Sequence, residues 1–223
     1  MPPNQHPLRI AHRGMPRQAR ENTLASFALA LAARADGIEL DVHATADGYV
    51  VVHHDATLAN GTPISAVTLQ ELRELSVSPA LHIPTLRDVC ALVKTRAELF
   101  VEIKGDGIER AVVDVMASHD GPFAIHSFDH AMIRRVANLH TRCRLGILIE
   151  HPGTDVVTAM RDAGASDAWP HAPLVTQTLV VDVHAVGGRV IPWTVNEPAE
   201  ITRLAALGVD GLCSDDVSLL PHD

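Results

Sequence analysis

Cysteine is scarce in this sequence, and the three that occur, Cys90, Cys143 and Cys213, are far apart. Their odd number and the lack of any CxxC spacing argue against a disulfide framework and against a thiolate metal site. We therefore expect all three to be small buried hydrophobic residues.

Long apolar runs are also missing. None approaches the ~18 residues that a membrane-spanning helix needs, and residues 1–9 are polar and proline-rich without an apolar signal segment. We therefore expect a cytoplasmic protein with no stable membrane anchor.

Basic residues are outnumbered, with 18 Lys and Arg against 27 Asp and Glu, and they are dispersed along the chain. This distribution argues against a nucleic-acid-binding surface. A net charge of −9 also repels phosphates, so an anionic substrate would require positive charge concentrated locally. A bound divalent cation could supply that charge.

Markers of a domain boundary are absent as well, since the chain has no Gly/Ser-rich run, charge block or shift in composition. Its 223 residues, 47% of them hydrophobic, can bury roughly 70 to 75% of their unfolded surface in one core. We predict a single domain over residues 1–223.

What the sequence does have is an alternation of short β-rich apolar segments with helical segments rich in alanine and leucine. This pattern is typical of βα units around a parallel sheet. Eight such strands are predicted, at residues 8–12, 37–42, 99–103, 123–126, 144–149, 166–169, 189–195 and 209–213. Helices are predicted at residues 23–34, 85–95, 108–118, 130–138, 155–163, 176–186 and 199–207.

Eight βα units predict an α/β protein with a TIM (β/α)8 barrel. A doubly wound open sheet is the second candidate, but it normally has a glycine-rich phosphate turn after its first strand, where only Gly14 occurs. The alternation is interrupted after the second strand, where residues 49–53 predict an extra strand and residues 54–84 an insertion with a short helix. An insertion that leaves from the C-terminal end of a strand would lie over the barrel mouth.

In such barrels the catalytic groups come from the C-terminal ends of several strands. Four neighbouring segments bring ionisable groups to that end: His12 and Arg13; Glu39 and Asp41; His53, His54 and Asp55; and Glu102 with Lys104. Because side chains alternate along a strand, Glu39 and Asp41 project into the barrel while Ile38, Leu40 and Val42 face the helices.

The three acids Glu39, Asp41 and Glu102 would repel one another inside a barrel unless a cation lay among them. Oxygen ligands suit a hard ion, so Mg²⁺ or Ca²⁺ fits better than Zn²⁺. The alternative is a structural ion network with Arg13 and Lys104. Histidines at the same end of the barrel favour the metal site.

His12 and His54 suit the general acid and base, because an imidazole titrates near neutral pH and phosphodiester cleavage needs one proton removed and one delivered. Asp55 could orient an imidazole or cap the next turn, and we favour the turn. We interpret His43 and His53 as structural residues.

Together these residues form a recognisable series: His12, Arg13 and Gly14; Glu21, Asn22 and Thr23; Gly37, Glu39 and Asp41; His54 and Asp55; Pro84 and Thr85; Glu102 and Lys104. In this order and spacing the series closely resembles the glycerophosphodiester phosphodiesterase family. Later segments agree, namely Ser127, Phe128 and Asp129; Trp193, Thr194, Val195 and Asn196; and Asp210 with Gly211. The resemblance covers nearly the whole chain.

The resemblance implies a TIM barrel that hydrolyses glycerophosphodiesters to sn-glycerol 3-phosphate and an alcohol with a divalent metal. By position, it makes Glu39, Asp41 and Glu102 the metal ligands and His12 and His54 the acid and base. It also assigns phosphate binding to Arg13 and Lys104, where Arg suits bidentate recognition and Lys adds a point charge. Trp193 would wall the pocket, or it would be a core aromatic residue.

The sequence departs from the family pattern at Arg20, where a proline is usual, and at Ala59 and Asn60, which replace an Arg and a Thr. Because the segment that follows is short, the leaving group could differ. One alternative is lysophospholipase D activity on lysophospholipids, and another is a non-catalytic barrel that binds phosphates. The attacking group would be water or a hydroxyl of the substrate that first forms a cyclic phosphate.

Overall fold

The computed structural model describes residues 6–75, 82–139 and 142–221. Nine strands occur in these residues: β1 (Leu8–His12), β2 (Gly37–Ala44), β3 (Val50–Val52), β4 (Glu98–Ile103), β5 (Phe123–Ser127), β6 (Arg144–Ile149), β7 (Asp167–Pro170), β8 (Arg189–Val190) and β9 (Gly211–Ser214). Eight of them pair in parallel in the order β8-β7-β6-β5-β4-β2-β1-β9. The predicted TIM barrel is therefore confirmed.

Helices connect the barrel strands and cover their outer faces. They are α1 (Leu24–Ala32), α2 (Leu69–Glu74), α3 (Leu86–Val93), α4 (Glu109–Met116), α5 (His130–Ala137), α6 (Val156–Ala163), α7 (Gln177–Ala185) and α8 (Pro198–Ala206). Within the three described ranges, no helix is both long enough and apolar enough to cross a bilayer.

Capping residues explain where several helices begin and end. Thr85 and Asp88 form a capping box at α3, in which the Asp88 amide donates to the Thr85 hydroxyl over 3.1 Å and the Thr85 amide donates to the Asp88 carboxylate over 2.9 Å. Gly164 ends α6 in the left-handed conformation with a φ of 70°. These caps satisfy backbone groups that would otherwise lack partners at the helix ends.

The barrel closes between β8 and β9, where the prediction of a strand over residues 189–195 was too long. Pro192 interrupts that segment because it has no amide hydrogen to donate to a neighbouring strand. Backbone hydrogen bonds nevertheless cross the gap, from Asp210 N to Val190 O over 2.9 Å and from Cys213 N to Pro192 O over 3.1 Å. The ring is thus nearly closed although β8 has only two residues.

Two apolar cores lie on opposite sides of the strands. Inside the barrel, Phe100 packs edge-to-face on Trp169 with ring centroids 5.1 Å apart, within a buried interior cluster. Outside, Ile38, Leu40 and Val42 belong to the larger core beneath the helices. The alternation along β2 therefore turns the intervening acidic residues inward, as the sequence predicted.

The insertion after β2 begins with β3, which pairs antiparallel with β2, and continues into a short 3-10 helix at Ile64–Ala66 and then α2. A small separate cluster of Val51, Ile64, Leu69 and Leu72 packs the two short helices of this segment on β3, which is itself paired with β2. The predicted insertion is confirmed, although the part of it at residues 76–81 lies outside the described residues.

Candidate active site

A cavity of about 320 Å³ opens at the C-terminal end of the barrel. Seven of the eight predicted site residues line it: His12, Arg13, Glu39, His54, Glu102, Lys104 and Trp193. The eighth, Asp41, is completely buried. A volume of this size is at the lower end of the range for small-molecule sites.

The turn after β1 positions Arg13. Its backbone has a left-handed φ of 54°, and its amide donates to the Glu39 carbonyl over 3.0 Å and to Glu39 Oε2 over 3.2 Å. Gly14 follows with a φ of 89°, and a Cβ there would clash with Ser26. The conformation therefore depends on glycine and joins the end of β1 to the carboxylate on β2.

Asp41 lies beneath the cavity among cationic and amide groups. Its Oδ2 lies 3.1 Å from Arg13 Nε and accepts a hydrogen bond from Asn22 Nδ2 over 2.8 Å, while its Oδ1 lies 3.4 Å from Lys104 Nζ. Burial raises the pKa of Asp41, but the charges of Arg13 and Lys104 outweigh it, so the pKa falls below its ordinary value. Asp41 therefore stays ionised and anchors both cationic side chains.

The ionised form of Glu102 is less well stabilised than that of Asp41. Burial, reinforced by the negative charge of Asp41, raises its pKa to about 8, although Lys104 Nζ donates to its Oε1 over 2.8 Å. The positive charge of Lys104 alone therefore does not outweigh burial and the negative charges of the neighbouring acids. A further cation in the cavity would stabilise the ionised form.

The sequence analysis missed His126, which lies at the end of β5. Its Nε2 is 3.8 Å from Glu39 Oε1, and Glu39, Glu102 and His126 form a buried group whose ligand atoms all lie within 4.8 Å of one another. This group could hold a divalent metal ion. The sequence did contain a signal for this residue. His126 ends the predicted strand 123–126, and functional side chains in such barrels come from the C-terminal ends of strands.

His12 is oriented by Asp215, the second residue that the sequence analysis missed. His12 Nδ1 donates to Asp215 Oδ1 over 2.7 Å, and Asn196 Nδ2 donates to Asp215 Oδ2 over 2.7 Å. Burial lowers the pKa of His12, but the hydrogen bond to Asp215 and the charge of Glu39 outweigh it, so the pKa lies above the ordinary 6.5. The bond leaves Nε2 of His12 available for proton transfer.

His54 has an acidic partner of its own. Its Nδ1 donates to Asp55 Oδ1 over 2.7 Å, so our interpretation of Asp55 as a turn cap was wrong and the carboxylate orients the imidazole instead. His43 Nε2 donates to the His54 carbonyl over 3.1 Å, which fits the structural interpretation of His43. Both predicted acid–base histidines are therefore held by a carboxylate at Nδ1.

An aromatic pair forms one wall of the cavity. Trp193 is half-buried and its Nε1 donates to the Trp169 carbonyl over 2.9 Å. Phe128 packs edge-to-face on Trp193 with ring centroids 5.4 Å apart, and Lys104 Nζ lies 5.6 Å from the centre of the Phe128 ring. Trp193 thus lines the cavity and also packs on the buried interior cluster that contains Trp169.

The similarity to known proteins extends over the part of the chain that contains these cavity residues. The chain matches the model of the glycerophosphoryl diester phosphodiesterase family over residues 12–219. This chain belongs to that family. The resemblance inferred from the motifs is thus confirmed, and the protein is a member of a family of enzymes.

Individual relatives and solved structures of the family cover almost the whole chain. A glycerophosphodiester phosphodiesterase of Caldanaerobacter subterraneus is 31% identical over 96% of both chains. A crystal structure of a protein from Silicibacter pomeroyi has a TM-score of 0.86 at 29% identity, and the match covers 97% of this chain and 92% of that one. An Oleispira antarctica phosphodiesterase in complex with the product sn-glycerol-3-phosphate has a TM-score of 0.85 at 27% identity, with 94% and 93% covered.

Proposed function

We propose that this protein hydrolyses glycerophosphodiesters to sn-glycerol 3-phosphate and an alcohol. The observation that carries the proposal is the pairing of two histidines with carboxylates, His12 with Asp215 and His54 with Asp55, around one cavity that also contains Arg13. The complex of the Oleispira antarctica phosphodiesterase with sn-glycerol-3-phosphate supports the choice of substrate class.

A divalent metal is part of the proposal, with Glu39, Asp41 and Glu102 as its predicted ligands and Mg²⁺ or Ca²⁺ as the predicted ion. Two features fit a cation: the buried Asp41 Oδ1 accepts no hydrogen bond among the described residues and has the ammonium of Lys104 no nearer than 3.4 Å, and the pKa of Glu102 is raised to about 8 by burial and neighbouring acids. When bound, such an ion would polarise a phosphate oxygen and increase the acidity of the attacking hydroxyl.

The two histidines carry the proton transfers in this proposal. Each imidazole donates from Nδ1 to its carboxylate, so Nε2 is the nitrogen that removes or delivers a proton in the cavity. One histidine takes the proton of the attacking hydroxyl, which belongs to water or to the substrate's own glycerol. The other protonates the leaving alkoxide.

Arg13 and Lys104 are the proposed phosphate-binding residues. Both line the cavity and both are anchored by Asp41 from below, which holds their charged ends at the mouth before a substrate arrives. Such preorganised positive charge stabilises the charge that develops on the phosphate oxygens during the reaction. Trp193 would then pack against the glycerol or alcohol group.

The size of the cavity favours small substrates that dissolve in water. At about 320 Å³ it can enclose a glycerophosphate group, whereas the acyl chain of a lysophospholipid would have to remain outside. We therefore favour compounds such as glycerophosphocholine over lysophospholipids.

The single domain over residues 1–223 and the cytoplasmic location remain predictions from the sequence.

The decisive experiment is a substrate panel with chelation and metal add-back. We expect release of sn-glycerol 3-phosphate from glycerophosphocholine, loss of turnover with EDTA, and recovery with Mg²⁺ or Ca²⁺. Binding of glycerol phosphate without any turnover would instead identify a non-catalytic barrel, and faster cleavage of lysophosphatidylcholine would identify a lysophospholipase D. A cyclic glycerophosphate in rapid-quench samples would distinguish attack by the substrate's own hydroxyl from attack by water.

A further inference from the structure

His126 is a buried polar side chain of the active-site cavity that the proposed reaction leaves without a role. Only 1% of its surface is exposed, and neither ring nitrogen has a hydrogen-bond partner among the described residues. An imidazole buried in this way without partners incurs a desolvation cost. The residue also lines the active-site cavity, so a ligand that enters the cavity can reach it.

The position of the ring is fixed by packing. It stacks on Trp169 with centroids 4.4 Å apart and an interplanar angle of 14°. Gly146 on the next strand makes this packing possible, since a Cβ there would lie 3.0 Å from the Trp169 ring and 3.1 Å from the His126 Cβ. The imidazole is therefore held in one place rather than free to turn away from the acids.

The neighbours of His126 determine which ligand it suits. Its Nε2 is 3.8 Å from Glu39 Oε1, too far for a hydrogen bond, and Glu102 pairs with His126 in the register between β4 and β5. Two carboxylates beside the ring disfavour an anionic oxygen of the substrate at this point. A cation between the nitrogen and the two carboxylates would instead satisfy all three groups.

We infer that His126 Nε2 is a ligand of the metal and that the resulting mixed nitrogen and oxygen site binds Mn²⁺ more tightly than Ca²⁺. The inference rests on the proposed function only in that Glu39 and Glu102 bind a metal. His126 Nε2 and Glu39 Oε1 are 3.8 Å apart, a separation that one ion with bonds of roughly 2.0 to 2.2 Å can bridge, and the ligand atoms of all three residues lie within 4.8 Å of one another.

The chemistry of the donors explains the preference. Ca²⁺ takes six to eight oxygen ligands in protein sites, at roughly 2.3 to 2.6 Å, and a nitrogen donor at a fixed position suits it poorly. Imidazole favours first-row transition ions, and carboxylates accept Mn²⁺ as readily as Mg²⁺. A site that adds one imidazole to the proposed carboxylate ligands therefore discriminates against Ca²⁺ although its acids alone would accept it.

The test compares metal binding by the wild-type protein, His126→Phe and His126→Gln, using isothermal titration with Mn²⁺ and with Ca²⁺. The phenyl ring keeps the stacking on Trp169, and the Gln variant replaces the nitrogen donor by an amide oxygen. We expect the wild-type protein to prefer Mn²⁺ by about 10-fold or more, and both variants to lose about 10-fold or more in Mn²⁺ affinity while Ca²⁺ affinity changes little. His184→Gln, which alters a surface histidine paired with Asp210, is the matched control and should retain the preference.

Electron spin-echo spectroscopy of the Mn²⁺-loaded protein gives an independent readout. We expect ¹⁴N modulation from a coordinated imidazole in the wild-type protein and in His184→Gln, and its loss in His126→Phe. Mn²⁺ binding that depends on Glu39 but has no ¹⁴N modulation would overturn the inference and leave the proposed function intact. Metal binding unchanged in Glu39→Gln and Glu102→Gln would overturn the proposed metal site and the inference together.

Discussion

His12 Nδ1 donates a hydrogen bond to Asp215 Oδ1 over 2.7 Å, where β1, the first barrel strand, pairs with β9, the last. The two residues are 203 positions apart, so the pairing of these two strands brings them together. Asn196 holds the other carboxylate oxygen, which fixes the rotation of Asp215 and through it the imidazole. Asp215 is thus a positioning residue for the proposed acid–base histidine.

We expect Asp215→Asn to change the pH profile of the reaction as well as its rate. The hydrogen bond to Asp215 helps raise the pKa of His12 above its ordinary value, so a neutral amide lowers that pKa. One limb of the profile of kcat/KM should therefore move to lower pH. This will be the acidic limb if His12 is the base and the alkaline limb if it is the acid, and kcat should fall by roughly 10²-fold.

The neighbouring carboxylate provides the control for this experiment. The Asp216 carboxylate accepts hydrogen bonds from Ser218 rather than from His12, so Asp216→Asn should leave both limbs in place. A profile of Asp215→Asn that coincides with the wild-type profile would contradict the positioning role, even if the overall rate were lower.

The histidines themselves are tested by His12→Ala and His54→Ala. Each variant should lose at least ~10²-fold in turnover, because one proton transfer then lacks its catalyst, while metal affinity stays nearly unchanged. His151→Ala, in an exposed loop, is the control for the loss of an imidazole. Turnover near the wild-type level in either site variant would refute the acid–base assignment of that residue.

Glu102 makes the stability of the metal-free protein depend on pH. Its folded pKa of about 8 lies above the ordinary 4.5, so the folded state binds more protons than the unfolded state between these values. The free energy of unfolding therefore falls as pH rises through this window. Glu102→Gln removes the effect, and in EDTA we expect it to gain a few kcal/mol relative to the wild-type protein between pH 5 and pH 8.

Urea unfolding at the two pH values measures this difference. The exposed residue Glu197 gives the control, because Glu197→Gln should keep the pH dependence of the wild-type protein. Addition of a divalent metal should raise the stability of the wild-type protein at pH 8 far more than that of Glu102→Gln. If the free energy of unfolding depended on pH in the same way in the wild-type protein and in Glu102→Gln, the pKa of Glu102 would not be raised in the folded state.

The sequence was sufficient for features that depend on local periodicity. The alternation along β2 determined that Glu39 and Asp41 face inward, and strand ends identified six residues that line one cavity. The extent of β8 was overestimated, because apolar composition indicated a strand where Pro192 limits the pairing.

Partners distant in sequence could not be predicted in this way. No local pattern links Asp215 to His12, and the pair forms only when β9 pairs with β1. His126 is a different case, since it lies at the end of the predicted strand 123–126, where side chains of a barrel can reach the site. The buried, unpartnered state of its ring became visible only in three dimensions.

We expect replacement of Gly14 by alanine to destabilise the turn that carries Arg13. Gly14 has a φ of 89°, which L-residues rarely adopt, and a Cβ would also clash with Ser26, whose hydroxyl accepts from Met15 N and donates to the Arg13 carbonyl. We expect Gly14→Ala to cost roughly 2 kcal/mol or more in the free energy of unfolding. Gly187 has a φ of 76° but open space around it, so Gly187→Ala incurs the conformational cost alone, about 1 kcal/mol. Equal losses in the two variants, measured by urea unfolding, would mean that the close approach to Ser26 contributes nothing to the stability of the site.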